Sequence, residues 1–311
     1  MKHPYLSIVV PVYNEESNLQ PLIERLYPAA QATRKSFEII FTNDGSRDRS
    51  LEMLREMVSR YPGVRVIEFN GNFGQHMAIL AAFEMSHGQI IITLDADLQN
   101  PPEEISRLVA EIEKGYDVVG TIRQKRQDTL FRKLASRIVN ITTNKMTGMK
   151  MNDYGCMLRA YHRNVIENIN RCGESTTFIP ALAQTFASNP TEIEVAHAER
   201  AAGESKYSLY KLVRLNFDLM TGFSVVPLQL FALFGILTSV LSLGFGLFLM
   251  IRRFIVGAEV EGVFTLFAIL FFFIGIIIMG IGIVGEYVGR IYQEVRKRPR
   301  YVVRRTYGFE E

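Results

Sequence analysis

Short runs of Val, Ile and Leu alternate with amphipathic stretches over the first two hundred residues of the chain. The runs predict strands at 6–12, 37–42, 64–69, 89–94 and 117–121, with a further one near 193–197. Between them, apolar positions at helical spacing predict helices at 16–33, 48–60, 75–86 and 102–114. Strands that are apolar on both faces, each followed by a helix, predict an α/β fold. Its sheet is Rossmann-like, mostly parallel and covered on both sides. A further helical pattern at 128–147 carries Arg132, Lys133 and Arg137.

The pattern changes after residue 200. Residues 205–223 read as an amphipathic helix, with Leu209, Leu212, Val213, Leu219, Met220 and Phe223 on one face and Lys206, Lys211 and Arg214 nearby. Next come two stretches without a charged side chain, 226–250 and 262–285. Each exceeds the roughly 20 residues a helix needs to cross a bilayer. Together they predict a two-span membrane hairpin, with 204–224 lying in the membrane interface. Gly285 and Gly289 have the spacing of a helix-packing face. The predicted division is an α/β domain at 1–203, the interfacial helix at 204–224, and spans within 225–285 joined by a loop at 251–261. A basic tail at 286–311 completes it.

Charge placement sets the orientation. The tail carries Arg290, Arg296, Lys297, Arg298, Arg300, Arg304 and Arg305, whereas in the loop Arg252 and Arg253 are balanced by Glu259 and Glu261. The positive-inside rule then places both ends in the cytoplasm and the loop outside. The opening MKHPYLSIVVPVYNEE has no long apolar core ahead of a small-residue cleavage site, so no cleavable signal is expected. The formal charge of the 311-residue chain is only +3, which gives no global field for nucleic acid. Cys156 and Cys172 lack metal-type spacing and read as small apolar fillers.

Polar clusters fall at three predicted strand ends: PVYNEE, TNDGS and LDADLQ. In parallel sheets, ligands bind beyond the carboxyl ends of the strands. Alternate residues of an extended chain share one side, so Asp95, Asp97 and Gln99 are expected to converge. Two carboxylates and an amide suit a hard divalent cation, Mg²⁺ or Mn²⁺, shared with a substrate diphosphate. His76 begins a helix just beyond a strand, within reach of that edge.

The motifs PVYNEE, NDGSRD, LDADLQNPPEE and GESKYS resemble the family 2 glycosyltransferases of the GT-A fold, and more narrowly the polyprenyl-phosphate glycosyltransferases. The likeness runs through both uncharged stretches to GEYVGRIYQEV. NGNFGQHMA, DVVGTIRQKRQD, FRKLAS, NDYGCMLRAY, HAER and RPRY resemble the branch that uses a 4-deoxy-4-formamido-L-arabinose donor in lipid A modification. The resemblance implies a UDP-sugar donor, an undecaprenyl phosphate acceptor, the bacterial inner membrane, and a homo-oligomer, a tetramer. It also implies roles for residues. Pro11, Tyr13 and Glu15 would line the uridine pocket. Asn43 and Asp44 stand where the family usually has two aspartates, and Asn43 is the departure. Asp95, Ala96 and Asp97 would meet the nucleotide, and Asp95, Asp97 and Gln99 the metal. Arg123, Arg132 and Ser136, flanked by Arg200 and Lys206, would hold the acceptor phosphate. Arg132 and Ser136 lie four residues apart, on one face of the predicted helix.

This assignment explains the lack of an obvious catalytic His. A phosphomonoester has its second pKa near 6, so the acceptor is already ionised at neutral pH and needs no general base. Transfer of glucose or mannose to the same kind of lipid is an alternative. A catalytically inert nucleotide-binding scaffold is another, but it predicts a broken metal motif. Processive polysaccharide synthases share the early motifs but carry a Gln-x-x-Arg-Trp sequence, and this chain has no Trp.

Overall fold

A computed structural model describes residues 4–123, 156–172, 178–195, 226–256, 263–296 and 298–309. The chain divides into two compact units, Met1–Leu212 together with Arg298–Glu311, and Val213–Lys297.

In the first unit the strands are β1 (Leu6–Val12), β2 (Phe37–Asn43), β3 (Val64–Phe69), β4 (Ile90–Thr93), β5 (Val118–Arg123), β6 (Arg159–His162), β7 (Pro190–Val195) and β8 (Val303–Tyr307). They form one sheet in the order β7-β5-β6-β4-β1-β2-β3-β8. The strands β1, β2, β3 and β4 pair in parallel, as do β5 and β7, while β6 and β8 run against their neighbours. The ends of β1, β2, β4 and β5 therefore share one edge. The helices are α1 (Glu16–Ala32), α2 (Ser50–Arg60), α3 (Gln75–Met85), α4 (Ile105–Glu113), α5 (Arg163–Arg171) and α6 (Ile179–Phe186).

The central strand LSIVVPV is apolar on both faces because both faces are covered. Leu6, Ile8, Val9 and Val10 are wholly buried. In α4, Ile105, Leu108, Val109 and Ile112 repeat at i, i+3, i+4 and i+7, giving one buried stripe. Each fully buried Ile or Leu contributes roughly 1.5–3 kcal/mol.

Several features depart from the sequence expectation. The predicted helix at 102–114 begins as a 3₁₀ turn (Pro102–Glu104), set by the Pro101-Pro102 pair. The elements β6 and α6 were not anticipated, whereas a helix starting at His162 was expected. His162 caps α5, its side chain accepting the Asn164 N–H. The stretch read as a basic tail supplies β8, which runs antiparallel along the outer edge of β3.

In the second unit, α7 (Val226–Val256) and α8 (Val263–Val295) contain the apolar stretches Leu228–Phe248 and Ile269–Val295. Both are long and apolar enough to cross a membrane, and they are almost wholly exposed. Their large side chains face outward because no protein layer covers them. A Cβ added at Gly280 would run into the Phe231 ring, whereas one added at Gly285 or Gly289 would meet nothing within 4 Å. The close approach is thus at Gly280, not at the Gly-x-x-x-Gly pair.

Candidate active site

Three loops meet at the carboxyl edge of the sheet. The segment after β1 carries Tyr13, which is 43% exposed and presents its ring beyond the strand end. Asn14 adopts φ 55°, its N–H donates to Ser46 Oγ at 3.0 Å, and its Oδ1 accepts the Arg47 N–H at 2.8 Å. Glu15 accepts from Asn18 Nδ2 at 2.6 Å, and its N–H donates to Ser50 Oγ at 3.0 Å. Pro11 and Glu15 are half-buried. The loop after β1 is therefore pinned to the loop after β2.

Asn43 and Asp44 are both buried at the end of β2. The Asn43 Oδ1 accepts the Ser46 N–H at 3.4 Å. Asp44 accepts from the backbone N–H of Phe73 at 2.6 Å and of Gly74 at 2.9 Å. Burial pushes its carboxyl up, and these two hydrogen bonds pull against that shift. Gly45 sits at φ +67° with its α-carbon against the Gly71–Asn72 peptide, where a side chain would strike backbone. The TNDGS turn thereby fixes the segment that leads into α3.

The third loop carries the two aspartates of LDADLQ. The strand ends at Thr93, a turn begins at Ala96, and Leu98 adopts φ 60° between Asp97 and Gln99. The expected extended alternation stops at Asp95. Asp97 Oδ1 instead accepts the Gln99 N–H at 3.2 Å, closing the turn on itself. Asp95 Oδ1 accepts from Gln75 Nε2 at 2.7 Å, which ties the first turn of α3 to this edge. Ala96 is buried between the two carboxylates in sequence. Among the described residues no three His, Cys, Asp or Glu side chains cluster as a metal site. Two carboxylates one residue apart fit a cation only if the substrate supplies further oxygens, as Mg²⁺ prefers.

Gln75 was not anticipated, although it directly precedes His76 in the sequence. His76 packs edge-on against Phe178, and its Nδ1 is enclosed with no hydrogen-bond partner among the described residues. Burial holds the imidazole down to about 4, so it is neutral at pH 7. Beneath the turn lies a polar strut that the sequence did not reveal. The Cys156 thiol donates to Asn100 Oδ1 at 3.5 Å, and the Thr121 hydroxyl lies 2.9 Å from that sulfur. The fully buried Arg159 donates from Nε to the Cys156 carbonyl at 2.7 Å. Cys156 is thus part of a buried network and no mere filler.

Arg123 ends β5 at the same edge of the sheet. Arg132, Ser136, Arg200 and Lys206 lie outside the described residues.

A mostly parallel α/β sheet with polar loops gathered at its carboxyl edge is the architecture of a ligand-binding α/β enzyme, and the comparisons narrow it to a transferase. The family model "Glycosyl transferase family 2" matches residues 7–169, and the chain belongs to that family. It is 51% identical over 303 residues to an undecaprenyl-phosphate 4-deoxy-4-formamido-L-arabinose transferase of Edwardsiella ictaluri, covering 96% of this chain and 93% of the relative. The protein of the same name from Pectobacterium atrosepticum is 52% identical over 305 residues, covering 97% and 93%. Among solved structures, glucosyl-3-phosphoglycerate synthase from Mycobacterium tuberculosis, in complex with Mn²⁺, UDP-glucose and phosphoglyceric acid, superposes with a TM-score of 0.52. That match is 14% identical and covers 70% of this chain and 78% of that one. At that identity the likeness speaks for the fold alone.

Proposed function

We propose that this glycosyltransferase moves a sugar from a UDP-sugar to undecaprenyl phosphate at the cytoplasmic face of the bacterial inner membrane. The sugar is 4-deoxy-4-formamido-L-arabinose, and the product serves lipid A modification. One observation carries the reading: identity to transferases of that name runs through the strand-end loops and both apolar helices.

The residues divide the work. Tyr13, exposed at the end of β1, offers a face to the uracil ring, with Pro11 and Glu15 beside it. Asn43 can accept from the uracil N–H through its amide oxygen. Asp44 holds the segment entering α3 and so shapes the pocket wall. Asp95, Asp97 and Gln99 would hold Mg²⁺ or Mn²⁺ together with the donor diphosphate, and the cation would offset charge gathering on departing UDP. Gln75 fixes the orientation of the Asp95 carboxylate. Arg123, Arg132 and Ser136, with Arg200 and Lys206, receive the acceptor phosphate and offset its repulsion from the donor. One oxygen of that phosphate, already ionised, attacks the anomeric carbon from the side opposite UDP, and the configuration inverts.

The isoprenoid tail does not leave the bilayer, since each buried methylene contributes about 0.8 kcal/mol. Two spans and the amphipathic 204–224 stretch suit a catalytic unit that works at the headgroup level, with a tetramer as the assembled form.

The testing experiment is a transfer assay with purified protein, undecaprenyl phosphate, either cation and a panel of UDP-sugars. The formamido-arabinose donor is expected to be preferred. Preference for a hexose would overturn the sugar assignment, and no transfer from any donor would overturn the enzyme reading.

A further inference from the structure

A cleft of about 310 Å³ opens at the outer edge of the sheet, lined by Leu51, Arg55, Glu68, Arg304, Arg305 and Tyr307. It lies between α2 and β8, four strand positions from β4. At about 4.8 Å per strand, that is roughly 19 Å from the Asp95–Asp97 turn.

The cleft has more positive charge than its own carboxylate can match. The Glu68 side chain is only 4% exposed and forms the floor. Its Oε2 accepts from Arg55 at 3.1 Å and from the Tyr307 hydroxyl at 2.7 Å, and Arg304 lies 3.5 Å from its Oε1. These donors occupy both oxygens. The guanidiniums of Arg55 and Arg305 sit 4.8 and 5.9 Å from the centre of the Tyr307 ring. Two guanidiniums thus pair with one carboxylate while a third, that of Arg305, lines the same cleft beside the Tyr307 ring, and a guanidinium's five N–H donors exceed what Glu68 can accept. Arg304, 71% exposed in its side chain, can reach a ligand above the floor. A guanidinium fork matches two oxygens of a phosphate group.

We propose that this cleft is a phosphate-anion site separate from the reaction centre. Its ligand is either the headgroup of an anionic phospholipid or free phosphate. Residues 296–302, which join α8 to β8, add Arg296, Lys297, Arg298 and Arg300 to the same stretch of sequence.

The test uses the full chain in neutral detergent, with UDP saturating so that phosphate cannot report on the donor pocket. Inorganic phosphate is titrated and followed by calorimetry and by the midpoint of thermal unfolding. The wild type is expected to bind and be stabilised. The Arg304→Ala/Arg305→Ala variant should lose about tenfold or more in affinity, the effect of removing two charged donors. Arg60→Ala, at an exposed α2 arginine paired with Glu56, should bind as wild type does. A second arm places the protein in nanodiscs of phosphatidylcholine, with or without phosphatidylglycerol. Stabilisation only by phosphatidylglycerol, and only with both arginines present, identifies the headgroup; binding in detergent identifies free phosphate. If neither ligand acts through these arginines, the proposal is overturned. Should the double variant misfold, Arg305→Gln keeps both Glu68 ion pairs, and an unchanged affinity there overturns the proposal equally.

Discussion

Two aspartates beyond the strands that flank β1 are held in different ways. Asp44 spends both oxygens on the Phe73 and Gly74 amides, whereas Asp97 Oδ1 accepts the Gln99 N–H and so closes a short turn. Asp44→Asn replaces one acceptor with a donor facing an N–H. It should cost about 1–3 kcal/mol in denaturant unfolding and loosen the entry to α3. Asp97→Asn should leave stability unchanged and abolish transfer; wild-type rates in that variant would sink the assignment. His76 gives a pH signature. Its folded pKa of about 4 lies below the ordinary 6.5, so the unfolded chain takes up the proton first as pH falls. The contribution is whole above pH 6.5 and declines towards pH 4, by on the order of 1–3 kcal/mol. His76→Phe should flatten that part of the stability profile relative to wild type, and identical profiles would contradict the burial of Nδ1. The aspartates were legible because they follow an apolar strand. The Asn100–Cys156–Thr121 strut was not, because its members are far apart in sequence and ordinary in type.

At the scale of elements, β1 to β5 and α1 to α4 could be read from the chain, since parallel strands buried on both faces are unbroken apolar runs. The strand β6, RAYH, begins with a charge, and that hid it. The buried Arg159 guanidinium donates from Nε to the Cys156 carbonyl, which meets part of its hydrogen-bonding need inside the fold. In α5 the triad Val165, Ile166 and Ile169 carries a helical period behind the His162 cap, which marks where the helix starts. Nothing in VRRTY announces β8, for four of its five residues are exposed and the fifth is half-buried. Its attachment rests on the ladder to β3 and on Glu68. Tyr307→Phe removes one donor from that buried carboxylate and should lower stability by about 1–2 kcal/mol, measured by thermal unfolding with the spans in detergent. An unchanged midpoint would show that water replaces the hydroxyl without loss.

For the molecule as a whole, α7 and α8 have 31 and 33 residues, or about 46 and 50 Å of helix. Both exceed the roughly 30 Å hydrocarbon core, so their ends extend beyond it or the helices tilt. In α8 the excess is polar, with Glu286 and Arg290 paired at 2.8 Å. The protein should stay in the membrane fraction through high-salt and alkaline washing, and release by either would contradict a spanning hairpin. Tyr307 reaches back to Glu68 across 239 residues of sequence. On the ribosome, β3 is made early but its partner strand emerges only after both hydrophobic helices have been delivered to the translocon. The growing chain therefore carries an open sheet edge through most of its synthesis, and the sheet is finished only once the hairpin has been made.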